Sequence, residues 1–108
     1  MDIEHLVNES WSTAESHGWH AEPRSFGDCI ALCHSELSEA LEEFRTGSDP
    51  AAVSYVNDKP EGVAVELADV IVRIADMCGV YGIDLDNALR VKMEYNRGRP
   101  YRHGGKRR

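Results

Sequence analysis

Five carboxylates in two short stretches are the residues of this chain best placed to do chemistry. Glu36, Glu39 and Glu43 lie in HSELSEALEEFR (34–45) at i, i+3 and i+7, so a helix would line them along one narrow arc. Glu66 and Asp69 repeat the i, i+3 spacing in VAVELADVIVRIADMC (63–78). Two antiparallel helices joined by a loop would set these acids opposite one another. Carboxylates gathered in this way repel, and a hard divalent cation relieves the repulsion. Mg²⁺ takes oxygen ligands, keeps several waters and usually also binds substrate phosphates. E-x-x-E facing E-x-x-D therefore reads as a Mg²⁺–phosphate site. Two simpler readings stand beside it. A Glu-rich segment such as 34–45 has the composition of a solvated helix face, and Glu66 or Asp69 could instead pair with Arg73 or Arg24.

The second stretch argues against a plain solvated face. Twelve of its sixteen residues are apolar, and the other four are Glu66, Asp69, Arg73 and Asp76. At about 100° per residue those four fall within an arc of roughly 80°. A surface helix shows the reverse, a limited apolar stripe on a polar background. The spacing thus predicts a helix enclosed on most sides with one strip of charge, and buried carboxylates need a partner or a metal.

The elements that must position these acids can be read around them. Residues 2–17 carry Ile3, Leu6, Val7 and Trp11 near helical spacing, with Gly18 as a stop. Ser25 or Asp28 caps a second helix to about Arg45, whose apolar stripe is Phe26, Ile30, Cys33, Leu37, Ala40, Leu41 and Phe44. Residues 46–61, with Pro50 and Pro60, form a loop holding a short ordered piece at 51–56. Pro60 marks the start of the third helix, which runs to about Val80. Asp84 caps a fourth, through Leu85, Ala88, Leu89 and Val91 to about Asn96. The prediction is an all-α single domain, 1–108, with four helices, no β-alternating run and a basic tail from 97 onward.

Charge is divided along the chain. Residues 1–96 hold all 19 acids and only 6 of the 12 basic residues, while RGRPYRHGGKRR (97–108) holds the other 6 and no acid. An acidic body argues against general nucleic-acid binding, so no stable nucleic-acid partner is expected. No apolar run is long enough to span a membrane, and MDIEHLVNES lacks the features of a signal peptide. Three cysteines without a CxxC pair fit a reduced, cytoplasmic setting.

Other residues qualify this picture. Lys92, Asn96 and Arg99 are close to i, i+4, i+7, and with Arg97, Arg102, His103 and Lys106 they form a polar, mostly cationic set suited to a triphosphate. A basic tail that is disordered or touches nucleic acid is the other reading. The ending lacks G-x-x-x-x-G-K-[ST], which excludes a P-loop ATPase. Trp19, beside His17 and His20, is a candidate base-stacking surface; Trp11 is expected in the core, and Tyr55 has a weaker claim to stacking. Cys29 and Cys33 with His34 have no matching second pair for zinc, and the cysteines read as core. No Ser/His/Asp or Cys/His nucleophile is evident.

Taken together, HSELSEALEEFR, PEGVAVELADVIVRIADMCGVYGIDLDNAL and K-x-x-x-N-x-x-R-P-x-x-H-G-G-K resemble MazG-like nucleotide pyrophosphohydrolases, of the all-α NTP pyrophosphatase superfamily that also contains dimeric dUTPases and dCTP pyrophosphatases. The resemblance covers about residues 18–106. It implies a MazG-like four-helix bundle completed by oligomerisation, as a homodimer or homotetramer. It implies Glu36, Glu39, Glu66 and Asp69 as Mg²⁺ ligands, with Mn²⁺ able to substitute, and Lys92 and Asn96, joined by Arg99, as phosphate-binding residues. The implied reaction is hydrolysis of a (deoxy)nucleoside triphosphate between its α- and β-phosphates, a nucleotide-pool house-cleaning activity. One position departs. Ser35 stands where many members carry a Glu, so an accessory acid is either missing or supplied by Glu43.

On that reading Glu39 orients and deprotonates the attacking water, and Lys92 and Arg99 stabilise charge developing on the phosphoryl groups. Trp19 is the candidate contact to the base. The rival class is a non-catalytic helical interaction module, in which the acidic helices form an oligomer core and the basic tail docks a partner. Hydrolysis of a phosphoribosyl-ATP is a third option, disfavoured by the short chain and its ending.

Overall fold

The computed structural model describes residues 1–100. It is predominantly helical, with α1 (Ile3–Ser16), α2 (Phe26–Arg45), α3 (Val63–Tyr81) and α4 (Leu85–Arg97), and a small hairpin of β1 (Ser54–Val56) and β2 (Lys59–Glu61) between α2 and α3. The helix starts follow from side-chain capping of orphan backbone donors. Asp2 accepts from the His5 N–H, Ser25 from that of Asp28 and Asp84 from that of Asn87. α3 has no side-chain cap; it begins after Gly62 and ends on Gly82 in the left-handed conformation.

The hairpin corrects the expected loop. Asn57 and Asp58 both have positive φ, 50° and 67°, the geometry of a tight two-residue hairpin turn. Ser54 pairs with Glu61, Tyr55 with Pro60 and Val56 with Lys59. Pro60 therefore belongs to a two-stranded ribbon, where a missing N–H is tolerated, and does not open α3. The helix starts three residues later. Gly62, at φ 124°, lets the chain turn from hairpin to helix; a Cβ there would lie 2.9 Å from the Ala52 carbonyl oxygen.

α3 is the centre of the packing, with α2 on one side and α1 on the other, and α4 resting on α1. α1 and α2 share no extensive contact among the described residues. The core is built mostly from small side chains: Ala14, Cys33, Ala40, Val63, Val70, Ala75, Met77 and Cys78 are buried. All three cysteines are free, and burial pushes the Cys33 and Cys78 thiols up.

Three packing expectations change. The α2 stripe is only partly covered, because α3 seats on Cys33, Glu36 and Ala40, at i, i+3 and i+7. Leu37, Leu41 and Phe44 are left about half exposed, Leu41 and Phe44 at 55% each. α3 itself is open along Leu67 and Ile71, so this chain alone does not enclose it. Trp11, expected in the core, is 38% exposed. It lies across α3 at Gly79, where an added Cβ would sit 3.0 Å from its side chain.

Candidate metal centre

Helix pairing assembles the acidic site. Arg73 of α3 meets Glu36 of α2, while Glu66, two turns earlier in α3, meets Glu39, later in α2. The helices thus run antiparallel, as the carboxylate spacing requires. Each of Glu36, Glu39 and Glu66 offers a carboxylate oxygen within 4.8 Å of the others. Ligands on opposite sides of Mg²⁺ are about 4.2 Å apart at its usual bond length. The three oxygens are therefore close to the span of one hydrated ion. Glu39, Glu42, Glu43, Thr46 and Glu66 line an open depression of about 270 Å³ beside them.

The electrostatics explain why these acids call for a cation. Burial is the largest cause pushing the Glu66 carboxyl up to about 7, followed by the negative charges of Glu39, Asp69 and Glu36. Glu66 Oε2 is buried and has no hydrogen-bond partner among the described residues. A buried carboxylate oxygen without a donor is costly. A hard cation would supply the missing partner, and an all-carboxylate donor set is of the kind that Mg²⁺ or Mn²⁺ takes.

Asp69 stands apart from the close trio. It is exposed, one turn along α3, and burial followed by the Glu36 charge raises its pKa while Arg73 and Lys59 lower it. Glu43 also lines the depression and accepts a hydrogen bond from the Ser48 hydroxyl. Arg73 pairs with an acid that the alternative ion-pair reading did not name. Its Nε–H donates to Glu36 Oε1 at 2.7 Å, and neither Glu66 nor Asp69 forms an ion pair with it. The signal was its place on the same charged strip, but the strip does not say which opposite acid a long side chain reaches.

The remaining candidates are not gathered around these carboxylates. Lys92, Asn96 and Arg99 are exposed on and just beyond α4, which rests on α1. Lys92 Nζ and Arg99 Cζ lie 5.1 and 5.7 Å from the Tyr95 ring centroid. Trp19 is 57% exposed and meets His17 edge-on. Its neighbour His20 is bound to Asp76, ten residues after Glu66, which is about 15 Å along a helix. Tyr55 is exposed on β1. Arg102, His103 and Lys106 lie outside the described residues.

Asp76, the last member of the charged strip, belongs to a different cluster. His20 Nε2 is 2.8 Å from Asp76 Oδ1, and its Nδ1 is 2.6 Å from Glu15 Oε2. The imidazole lies 5.5 Å from the Trp11 ring. The hydrogen bond to Glu15 is the largest cause raising the His20 pKa, opposed by burial and supported by Asp76. The cluster ties the α1–α2 connection to α3.

Comparison with family models, curated proteins and solved structures finds no match. The functional reading therefore rests on the chain's own residues. No helix among the described residues is long and apolar enough to cross a membrane.

Proposed function

We propose that the protein is a Mg²⁺-dependent nucleoside triphosphate pyrophosphohydrolase. The observation that carries this reading is the convergence of Glu36, Glu39 and Glu66 from two antiparallel helices, with a buried, unpartnered oxygen on Glu66. Those three residues would hold the ion, with Asp69, one turn along α3, as a further candidate ligand. When bound there, the ion would supply charge neutralisation for the phosphates as pyrophosphate leaves. Glu39, which is exposed and lines the depression, would take a proton from an attacking water.

Lys92, Asn96 and Arg99 would bind the phosphates, and Trp19 would contact the base. α4 rests on α1 and not on the acidic helix α2, so these groups would reach the carboxylates from a second copy of the chain. The half-exposed Leu37, Leu41, Phe44, Leu67 and Ile71 support a homo-oligomer of this kind, because apolar surface of this extent favours burial. Homodimer and homotetramer both meet that need, in a cytoplasmic protein that acts on nucleotide pools.

The test is pyrophosphate release with Mg²⁺ across a panel of canonical and damaged (d)NTPs, with Asp69→Asn and Glu66→Gln as controls. The expected result is turnover of at least one triphosphate, abolished by EDTA. EDTA-resistant turnover overturns the metal mechanism. Absence of turnover in the folded protein favours the second reading, a non-catalytic helical interaction module, which the same exposed apolar residues would serve.

A further inference from the structure

Arg73 is the one cation that touches the acidic trio among the described residues. Its partner Glu36 is 9% exposed, so the ion pair lies against protein on the Glu36 side and opens to solvent on the Arg73 side. Arg73 also lowers the pKa of Asp69, on its own helix face, so its charge is felt by more than one acid. The other nearby cation, Lys59 of the hairpin, is exposed, pairs with Glu61 at 3.8 Å and acts on Asp69 from a distance. The guanidinium is thus a built-in positive charge at the place where a divalent ion would be held.

We propose that Arg73 is a positioning residue that acts as the resident counter-ion of the carboxylate site, holding Glu36 when no metal is bound and weakening metal affinity as a result. This inference rests on the metal reading above. Two physical effects follow from one geometry. Without metal, the Nε–H bond satisfies a nearly buried carboxylate that would otherwise be unpaired. With metal, a guanidinium bonded to one of the ligands repels the ion and competes for that ligand's lone pairs. The fold is thereby kept intact between turnovers, and the ion is bound less tightly than the acids alone would dictate.

Arg73→Gln separates this role from ordinary packing. In metal-free buffer the variant should melt several degrees below wild type. Its Mn²⁺ dissociation constant, read by calorimetry or by the electron-spin signal of free Mn²⁺, should tighten by roughly three- to tenfold. Saturating Mn²⁺ should consequently close much of the melting gap, because a ligand that binds the native state more tightly stabilises it more. Arg73→Lys, which restores the charge without the planar fork, should return the Mn²⁺ constant most of the way to the wild-type value. An unchanged or weakened Mn²⁺ constant in Arg73→Gln, with the same melting deficit at all metal concentrations, makes Arg73 a packing residue and overturns the proposal. A wild-type chain with no saturable Mn²⁺ binding overturns the metal reading itself, and the counter-ion role falls with it.

Discussion

The charged strip of α3 serves two regions that solve the same electrostatic problem in opposite ways. At one end, Glu66 meets Glu36 and Glu39, and the one cation in contact among the described residues, Arg73, is engaged by Glu36 alone. Negative charge is in excess, the Glu66 carboxyl is pushed up to about 7, and one of its oxygens has no donor. At the other end, Asp76 meets His20, which also meets Glu15, and both ring nitrogens are used. That cluster is completed by the chain's own groups. The contrast teaches that acids on one helix face need not share a purpose. The end left unbalanced is the end that the proposed cation would complete, and the balanced end is a fastening.

The largest effect separating the two regions is on catalysis. Glu66→Gln should lower Mg²⁺-dependent pyrophosphate release by on the order of 100-fold or more. His20→Gln should leave most of that activity, because His20 belongs to the other cluster. Steady-state kinetics on the best triphosphate compares them, and equal losses would erase the distinction.

The pH dependence of stability sharpens the comparison next. The Glu66 carboxyl titrates near 7 in the folded protein against an ordinary value of 4.5. The native state therefore holds that proton more tightly, and the associated stability is present below about 4.5 and lost as pH rises through 7. His20 has its pKa raised above 6.5, so its contribution is present below 6.5 and is likewise lost as pH climbs through the folded value. Both regions lose stability toward alkaline pH, but metal should divide them. Added Mg²⁺ favours ionised Glu66 and should flatten its part of the profile, leaving that of His20. Thermal melts from pH 4 to 9, with and without Mg²⁺, check this. Glu66→Gln should remove the metal-sensitive part and His20→Gln the metal-insensitive part.

A smaller effect concerns the fastening. His20→Gln should cost about 1 kcal/mol at pH 6, read as a fall in Tm of roughly 4–8 °C. Glu66→Gln in metal-free buffer at pH 8 should instead hold or raise Tm, since it removes a carboxylate that its neighbours repel. The smallest change is expected where neither region is touched. Arg90 and Asp86 pair at 3.0 Å on exposed parts of α4, and Arg90→Ala should alter stability by less than about 0.5 kcal/mol in the same melts.

Much of this architecture is written locally. Helix periodicity and the caps at Ser25 and Asp84 place α2 and α4 within a residue or two of their observed bounds. The i, i+3 spacings offer Glu36 with Glu39 and Glu66 with Asp69 as candidate neighbours, because the 3.6-residue repeat decides which side chains share a face. The hairpin was less legible, since its signal is an Asn-Asp pair in positive φ between strands of only three residues. Periodicity also overestimated burial. An apolar stripe states which face seeks cover, and Leu41 and Phe44 remain half exposed because α3 packs along Cys33, Glu36 and Ala40.

What the amino-acid sequence determined by itself is the set of helices and the carboxylates that one helix face can present, both consequences of short-range geometry. Only the tertiary structure decided that Arg73 takes Glu36, that Asp69 stands outside the close trio and that Asp76 is bound to His20. Those outcomes depend on the axial register between helices and on the reach of long side chains across the gap. Neither is encoded in the spacing within a single helix, so the polar strip of α3 divides into a metal candidate and a fastening only after the helices have met.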